Sequence, residues 1–106
     1  MMDYFELECC VNAWAEEREI FNKSNPIKQA LKTQEELTEL LNAIVDQDKK
    51  EIEDALGDIM VTLLIQAEMQ GTSLEKCLTR AYKTISNRKG EMINGQFVKF
   101  LEGLKS

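Results

Sequence analysis

Between Ala55 and Ala67 the chain carries a single charge, that of Asp58. The large apolar residues that follow Asp58 cover most directions around a helix: Ile59, Met60, Val61, Leu63, Leu64 and Ile65. A helix that is apolar nearly all round is buried on more than one side. We therefore predict a helix over about residues 49–70, at the centre of a bundle or across a dimer interface. Because an ionised carboxylate is costly to bury alone, Asp58 needs a partner there.

Helical spacing of apolar residues extends over most of the remaining chain, which has one proline and five glycines. The pattern predicts further helices over about residues 3–21, 26–45 and 72–90. Pro26 suits the start of the second helix, and Gly71 suits the end of the third. The predicted fold is all-α, a bundle of four to five helices in one domain over residues 1–106. A single core of this size is marginal, so oligomerisation would stabilise it.

Residues 91–106 are predicted as a tail after the bundle, with a turn at Asn94-Gly95. The apolar residues after that turn have the spacing of one face of a short last helix: Phe97, Phe100, Leu101 and Leu104. A hairpin across Asn94-Gly95 is the alternative, although its flanks are short. We expect the short helix.

The composition excludes several classes of function. A formal net charge of −6 argues against nucleic acid or an anionic membrane as a partner. The chain has no histidine, which excludes histidine-dependent triads and leaves carboxylates, Lys, Arg, Asn or a metal ion for chemistry. Three cysteines, two of them adjacent, do not suit a disulfide framework, and the N-terminus lacks the pattern of a signal peptide. We therefore expect a cytoplasmic protein with reduced thiols and no membrane span.

Charged residues recur on one side of three predicted helices. On the second helix, Glu36 and Glu39 lie opposite the apolar face, which is formed by Ile27, Ala30, Leu31, Leu37, Leu41, Ile44 and Val45. On the third helix an acidic stripe comprises Glu51, Asp54 and Asp58, continued by Thr62. The fourth helix carries a basic stripe, Lys76, Arg80 and Lys83, which ends at Asn87. Each stripe is also compatible with an ordinary solvated surface, and Asp58 with an ion pair to Lys or Arg.

Packed together, the stripes would make a carboxylate cluster facing a basic surface. Crowded carboxylates are unstable without cations, and Mg²⁺ binds a few carboxylates together with substrate phosphates. The basic surface would hold the outer phosphates of such a substrate. On this interpretation the partner of Asp58 is a metal ion.

The stretch Gln29-Ala-Leu-Lys32-Thr-Gln-Glu-Glu36-Leu-Thr-Glu39-Leu resembles the Q-x-x-K-x-x-E-E-x-x-E-L segment of MazG-like nucleotide pyrophosphohydrolases. Ala55-Leu-Gly-Asp58 falls where that family carries its second acidic motif, E-x-x-D. Two further stretches resemble small bacteriophage members, around Trp14-Ala-Glu-Glu-Arg18 and from Arg88 to Lys99. The resemblance implies an all-α tight homodimer or dimer of dimers. The implied reaction is Mg²⁺-dependent hydrolysis of a nucleoside triphosphate to the monophosphate and pyrophosphate, with Mn²⁺ as a substitute ion.

The resemblance also implies roles for single residues. Glu36, Glu39 and Asp58 match the metal ligands of the family, whereas Ala55 stands where the family has glutamate. Asp54 or, one turn further out, Glu51 could supply the missing ligand. Glu35 or Glu36 would orient the attacking water. The residues expected to contact the substrate are Lys32, Arg80 and Lys83 at its phosphates, Asn87 at phosphate or sugar, and Trp14 at the base.

Two other functions remain open at the level of the sequence. The chain could be an acidic helical dimer that binds a protein or a nucleotide, with catalysis lost at Ala55. It could also act on a different phosphate substrate, such as a guanosine alarmone. If the protein is encoded by a phage, the expected location is the host cytoplasm.

Overall fold

The computed structural model of the protein describes residues 1–101. Its elements are α1 (Tyr4–Glu17), α2 (Ile20–Lys23), α3 (Pro26–Val45), α4 (Lys49–Met69), α5 (Leu74–Ile85), β1 (Gly90–Ile93) and β2 (Gln96–Lys99). The mostly helical fold agrees with the all-α prediction, apart from a small two-stranded sheet. Contacts divide the chain into two compact units, Met1–Leu74 and Glu75–Ser106. No helix in the described residues is long and apolar enough to cross a membrane.

Three helices begin at side chains that cap their free backbone N–H groups. Asp3 accepts a hydrogen bond from Glu6 N at 2.9 Å, and Asp48 accepts one from Glu51 N at 3.2 Å. Asn25 caps α3, where Pro26 occupies the first turn. Polar caps and a proline at the first position favour a helix start in any tertiary context. The predicted bounds of the second and third helices agree with the structure to about a residue, and the caps account for their starts.

The predicted first helix is interrupted near its end. Glu19 has a left-handed backbone with φ of 61°, which separates α1 from the short α2. A glutamate in this region is uncommon, and no glycine, asparagine or proline indicates the break in advance. Sequence periodicity alone continues the helix to Phe21, because apolar spacing is nearly unchanged across the interruption.

In the first unit, α3 packs along α4, and α1 packs against α4 as well. The buried apolar residues are Ala15, Ala43, Ala55, Leu64, Ile65 and Ala67. Small side chains let helices approach closely, but they bury little apolar surface. No large side chain in the described residues is fully buried. One protomer therefore has only a small core.

The side of α3 that is buried in the chain differs from the expected one. The side that carries Gln29, Glu36 and Ala43 is buried, whereas a solvated surface is the ordinary reading of such a polar side. The apolar residues of α3 are exposed in the single chain: Ile27, Leu31, Leu37, Leu41, Ile44 and Val45. Helical periodicity defines two faces but does not say which one meets α4 of the same chain.

The second unit contains α5 and a hairpin of β1 and β2. The strands are antiparallel, with Gly90 opposite Lys99 and Met92 opposite Phe97. Asn94 and Gly95 form the two-residue turn, with φ of 52° and 80°. Positive φ at both turn positions matches the twist of paired strands, which is why Asn-Gly favours a hairpin. The prediction of a short last helix is therefore wrong up to Leu101, and Leu104 lies outside the described residues.

Candidate metal centre

Three carboxylates from two helices meet beside the contact between α3 and α4. Glu36 and Glu39 are three residues apart on α3, and Asp58 comes from α4. One carboxylate oxygen of each lies within 4.8 Å of the others. Glu36 is only 8% exposed, whereas Glu39 and Asp58 are exposed. The buried carboxylate is therefore Glu36 and not Asp58, whose own side chain is exposed in the single chain.

The surroundings of Glu36 favour a cation. Its Oε2 atom is buried and has no hydrogen-bond partner among the described residues. Burial raises the pKa of Glu36 above its ordinary value, and the adjacent Glu39 raises it further, while Lys32 opposes both effects. A buried polar atom without a partner costs free energy. Three converging carboxylates that include such an oxygen fit a divalent cation with oxygen ligands, such as Mg²⁺ or Mn²⁺.

Lys32 is the cation next to this cluster. Its Nζ lies 3.4 Å from Glu35 Oε1 and 3.6 Å from Glu36 Oε1. The hydrogen bond and charge of Glu35 raise the pKa of Lys32 above its ordinary value, with a smaller effect from Glu36. Lys32 is half exposed, so its ammonium group stays charged and available to an incoming anion.

Two hydrogen bonds join α3 to α4 near the cluster, one buried and one partly buried, and a third within α4 orients Thr62. Gln29 Nε2 donates to the carbonyl oxygen of Thr62 at 3.1 Å. The hydroxyls of Thr33 and Thr62 are 2.9 Å apart, and Thr62 Oγ1 donates to the carbonyl of Ile59 at 2.7 Å. These bonds hold the two helices in the register that brings Asp58 to the glutamates. Sequence reasoning gave Gln29 and Thr33 no such role, although Gln29 shares a helical face with Glu36.

A cavity of about 260 Å³ connects the acidic cluster to an aromatic side chain. Lys32, Glu36 and Asp58 line its polar end. Its apolar lining comprises Trp14, Ile20, Val61 and Ile65. The Arg18 guanidinium lies 4.5 Å from the centre of the Trp14 ring, which is a cation–π distance. The predicted base-contacting residue thus shares a cavity with three of the predicted phosphate and metal residues.

The structure also shows the surroundings of Ala55, which stands where the family has a glutamate. Ala55 is buried against the rest of the first unit, on the same side of α4 as Asp58. Asp54 is exposed and does not belong to the group of three carboxylates. Glu51 lines a second cavity, of about 330 Å³, together with Glu39. Both residues remain predicted replacements for the missing ligand.

The remaining predicted substrate residues lie in the second unit. Arg80 and Lys83 are exposed on α5, and Asn87 follows that helix. Their contact with phosphate stays a prediction. In the same unit, a separate cavity is lined by Asn87 and by three cations that were not among the predicted site residues, Arg88, Lys89 and Lys99.

Comparison with known proteins places this arrangement in a family. The family model described as phosphoribosyl-ATP pyrophosphohydrolase matches residues 13–89, which include Trp14 and all three clustered carboxylates. The chain belongs to the phosphoribosyl-ATP pyrophosphohydrolase family. This all-α family is of the MazG-like type, so the resemblance in the sequence is confirmed. Membership supports a pyrophosphohydrolase-type activity in general.

A curated relative comes from a bacteriophage. The chain is 34% identical over 68 residues to an uncharacterized 18.2 kDa protein in the rep-hol intergenic region of Haemophilus phage HP1. The matched segment covers 64% of this chain and 42% of the relative, so the chain spans less than half of that protein. No solved structure matches the chain. A small phage-type member of the family is therefore a consistent description.

Proposed function

We propose that the protein is a Mg²⁺-dependent nucleoside triphosphate pyrophosphohydrolase that acts on NTPs or dNTPs. The observation that carries the proposal is the convergence of Glu36, Glu39 and Asp58, with one oxygen of Glu36 buried and unpaired. Family membership supports the type of reaction. The products are the nucleoside monophosphate and pyrophosphate.

In the proposed reaction a water oxygen forms a bond to the α-phosphorus. The bond between that phosphorus and the oxygen bridging to the β-phosphate breaks, and pyrophosphate leaves with the bonding electrons. Glu35 accepts the proton of the water, because Glu36 belongs to the metal group. Lys32 lies beside both carboxylates and would neutralise charge on the phosphates.

Glu36, Glu39 and Asp58 would hold the divalent cation. When bound, the ion supplies positive charge that stabilises the phosphoryl oxygens during attack. It would also relieve the repulsion among three carboxylates and give the buried Glu36 oxygen a partner. Glu51 or Asp54 would complete the set in place of the family's glutamate at position 55.

The cavity beside the cluster supports a nucleotide as the substrate. Its polar end meets the metal group, and its apolar end is lined by Trp14. This arrangement suits a molecule with charged phosphates at one end and a flat base at the other. Arg18 lies over the Trp14 ring, so the base would stack on the part of the ring that Arg18 leaves open.

We also propose that the protein works as a homodimer or a dimer of dimers. The six apolar residues of α3 that face away from α4 are each about half exposed or more in one protomer. Leu56 of α4 is exposed as well. A surface of this kind is expected at an obligate interface, and the small core of one protomer makes burial of that surface stabilising. For a phage-encoded enzyme the site of action would be the host cytoplasm.

A product assay tests the reaction. The purified protein is incubated with each common NTP and dNTP and with phosphoribosyl-ATP, in Mg²⁺ and in chelator, and the products are separated by chromatography. Monophosphate plus pyrophosphate from an NTP or dNTP, only in Mg²⁺, is the expected result. Diphosphate plus orthophosphate would refute attack at the α-phosphorus. Turnover of phosphoribosyl-ATP alone would replace the proposed substrate class, and no turnover would favour a binding protein with catalysis lost at Ala55.

A further inference from the structure

The charges of the protein are divided unevenly between its two units. Residues 1–74 contain 16 of the 19 acidic residues and six of the 13 basic ones, a formal charge of −10. Residues 75–106 contain three acidic and seven basic residues, a formal charge of +4. The overall charge of −6 therefore conceals a basic segment. A local positive field of this kind attracts anions to one part of a molecule.

Within the second unit, three of the seven basic residues line a cavity of about 580 Å³. Three cations line it, Arg88, Lys89 and Lys99. Its other lining residues are Thr84, Asn87, Phe100 and Leu101. Among residues 1–101, no carboxylate lines the cavity. Among the described residues, no ion pair neutralises any of the three cations.

The hairpin brings cations together that are ten residues apart in sequence. Gly90 pairs with Lys99, and Phe100 N donates to the carbonyl oxygen of Lys89 at 2.9 Å, which extends the pairing by one step. A side chain at position 90 would meet the carbonyl of Val98, so only glycine allows this close approach. Arg88 is held near the end of α5 by a bond from its N–H to the carbonyl of Ile85 at 3.0 Å.

The chemistry of the cavity selects a phosphate oxyanion. Arg binds phosphate through two parallel hydrogen bonds, Lys adds point charges, and the Asn amide adds a neutral donor. Because the described lining of the cavity has no carboxylate, the cavity needs no metal ion to accept an anion. Both strands of the hairpin lie beyond the segment that matches the family, which ends at residue 89. The family match therefore includes Arg88 and Lys89 but not Lys99, so it does not account for the complete cavity.

We propose that this basic cavity, lined by Arg88, Lys89 and Lys99, is a metal-independent binding site for pyrophosphate groups. The group can come from two sources, the terminal phosphates of the nucleotide substrate or the pyrophosphate released from it. That these are the two sources rests on the proposed function. The binding of inorganic pyrophosphate does not rest on it, because such binding requires neither the metal centre nor turnover.

The first test is calorimetric titration of the full-length protein with inorganic pyrophosphate in chelator. We expect binding, and a loss of affinity of about tenfold or more in the double variant Lys89→Gln, Lys99→Gln, because charged hydrogen bonds to the anion are removed. The matched control is Lys49→Gln, Lys50→Gln, which makes the same charge change at exposed positions of the first unit. The control should bind as the wild type does, and so should Asp58→Asn.

Three results would overturn the proposal: no binding of pyrophosphate in chelator, an equal loss in the control variant, or tighter binding of duplex DNA that depends on the same lysines. Kinetics then distinguish the two sources. A raised KM for the nucleotide in the double variant indicates terminal phosphates, whereas an unchanged KM with weaker inhibition by pyrophosphate indicates the released product. If nucleotides are not hydrolysed at all but pyrophosphate binding persists, the proposed function fails and this site stands.

Discussion

Replacing Glu36 by glutamine should stabilise the metal-free protein. Glutamine keeps the shape of the side chain and removes a mostly buried charge that lies within 4.8 Å of two other carboxylates. At that separation each like-charge pair repels by about 1 kcal/mol in a water-like dielectric, so two pairs contribute about 2 kcal/mol. Loss of the contact with Lys32 offsets about 0.5 kcal/mol. The net gain of about 1 kcal/mol or more corresponds to a rise in Tm of roughly 4–8 °C.

The same substitution should abolish stabilisation by Mg²⁺. Wild-type protein at an Mg²⁺ concentration of about 100 Kd gains about 2.7 kcal/mol, because the ion binds only the folded state. The variant lacks one ligand oxygen of the cluster and should show almost no rise in Tm with Mg²⁺. Thermal unfolding by circular dichroism, at one fixed protomer concentration and with chelator or Mg²⁺, measures both effects.

Glu35→Gln is the matched control, because it makes the same chemical change one residue earlier. Glu35 is exposed, and its contact with Lys32 is a surface ion pair that contributes at most about 1 kcal/mol. The control should therefore keep the Mg²⁺-dependent rise in Tm. A fall in the metal-free Tm of Glu36→Gln by several degrees would refute the reasoning, since it would mean that Lys32 already satisfies the buried charge.

Asp58→Asn should abolish the Mg²⁺-dependent rise in Tm and should also raise the metal-free Tm, because it removes two like-charge pairs of the same cluster; a retained Mg²⁺-dependent rise would remove Asp58 from the ligand set. The Tm advantage of Glu36→Gln in chelator should vanish below about pH 4.5 and grow as pH rises, because the pKa of Glu36 is raised in the folded state; an unchanged advantage in acid would contradict this. Thr62→Val should cost about 1 kcal/mol with and without Mg²⁺, read from urea unfolding, because it loses the bonds to Thr33 and Ile59. Leu41→Glu should shift the protein from oligomer to monomer in light scattering, and an unchanged mass would place the interface elsewhere.

Local signals in the sequence determined where several elements begin and turn. Asn25-Pro26 and Asp48 start α3 and α4 through caps that involve residues at most three positions away. Such signals are readable from the sequence because both partners belong to the same short stretch of chain. The acidic motif on α3 and Asp58 on α4 were identified from helical spacing and from a family resemblance, and the family match includes them.

Tertiary structure alone decided which side of α3 is buried. The polar side meets α4 because Gln29 finds the carbonyl oxygen of Thr62, a residue 33 positions away. Amphipathic spacing cannot distinguish packing within a chain from packing between two copies, since both bury an apolar side of a helix. For the same reason the sequence pointed to Asp58 as the buried carboxylate, when Glu36 is the one enclosed by the contact of α3 and α4.

In the hairpin, too, one feature follows from the local sequence and another from contacts between distant residues. Asn94-Gly95 determined a turn by its backbone preference alone, but the strands that flank it depend on cross-strand pairing. Gly90 opposite Lys99 is a contact between residues nine positions apart, and the cations around it came together only through that pairing. Local chemistry thus set the starts and turns of the chain, while the burial of Glu36 and the basic cavity arose from contacts between residues distant in sequence.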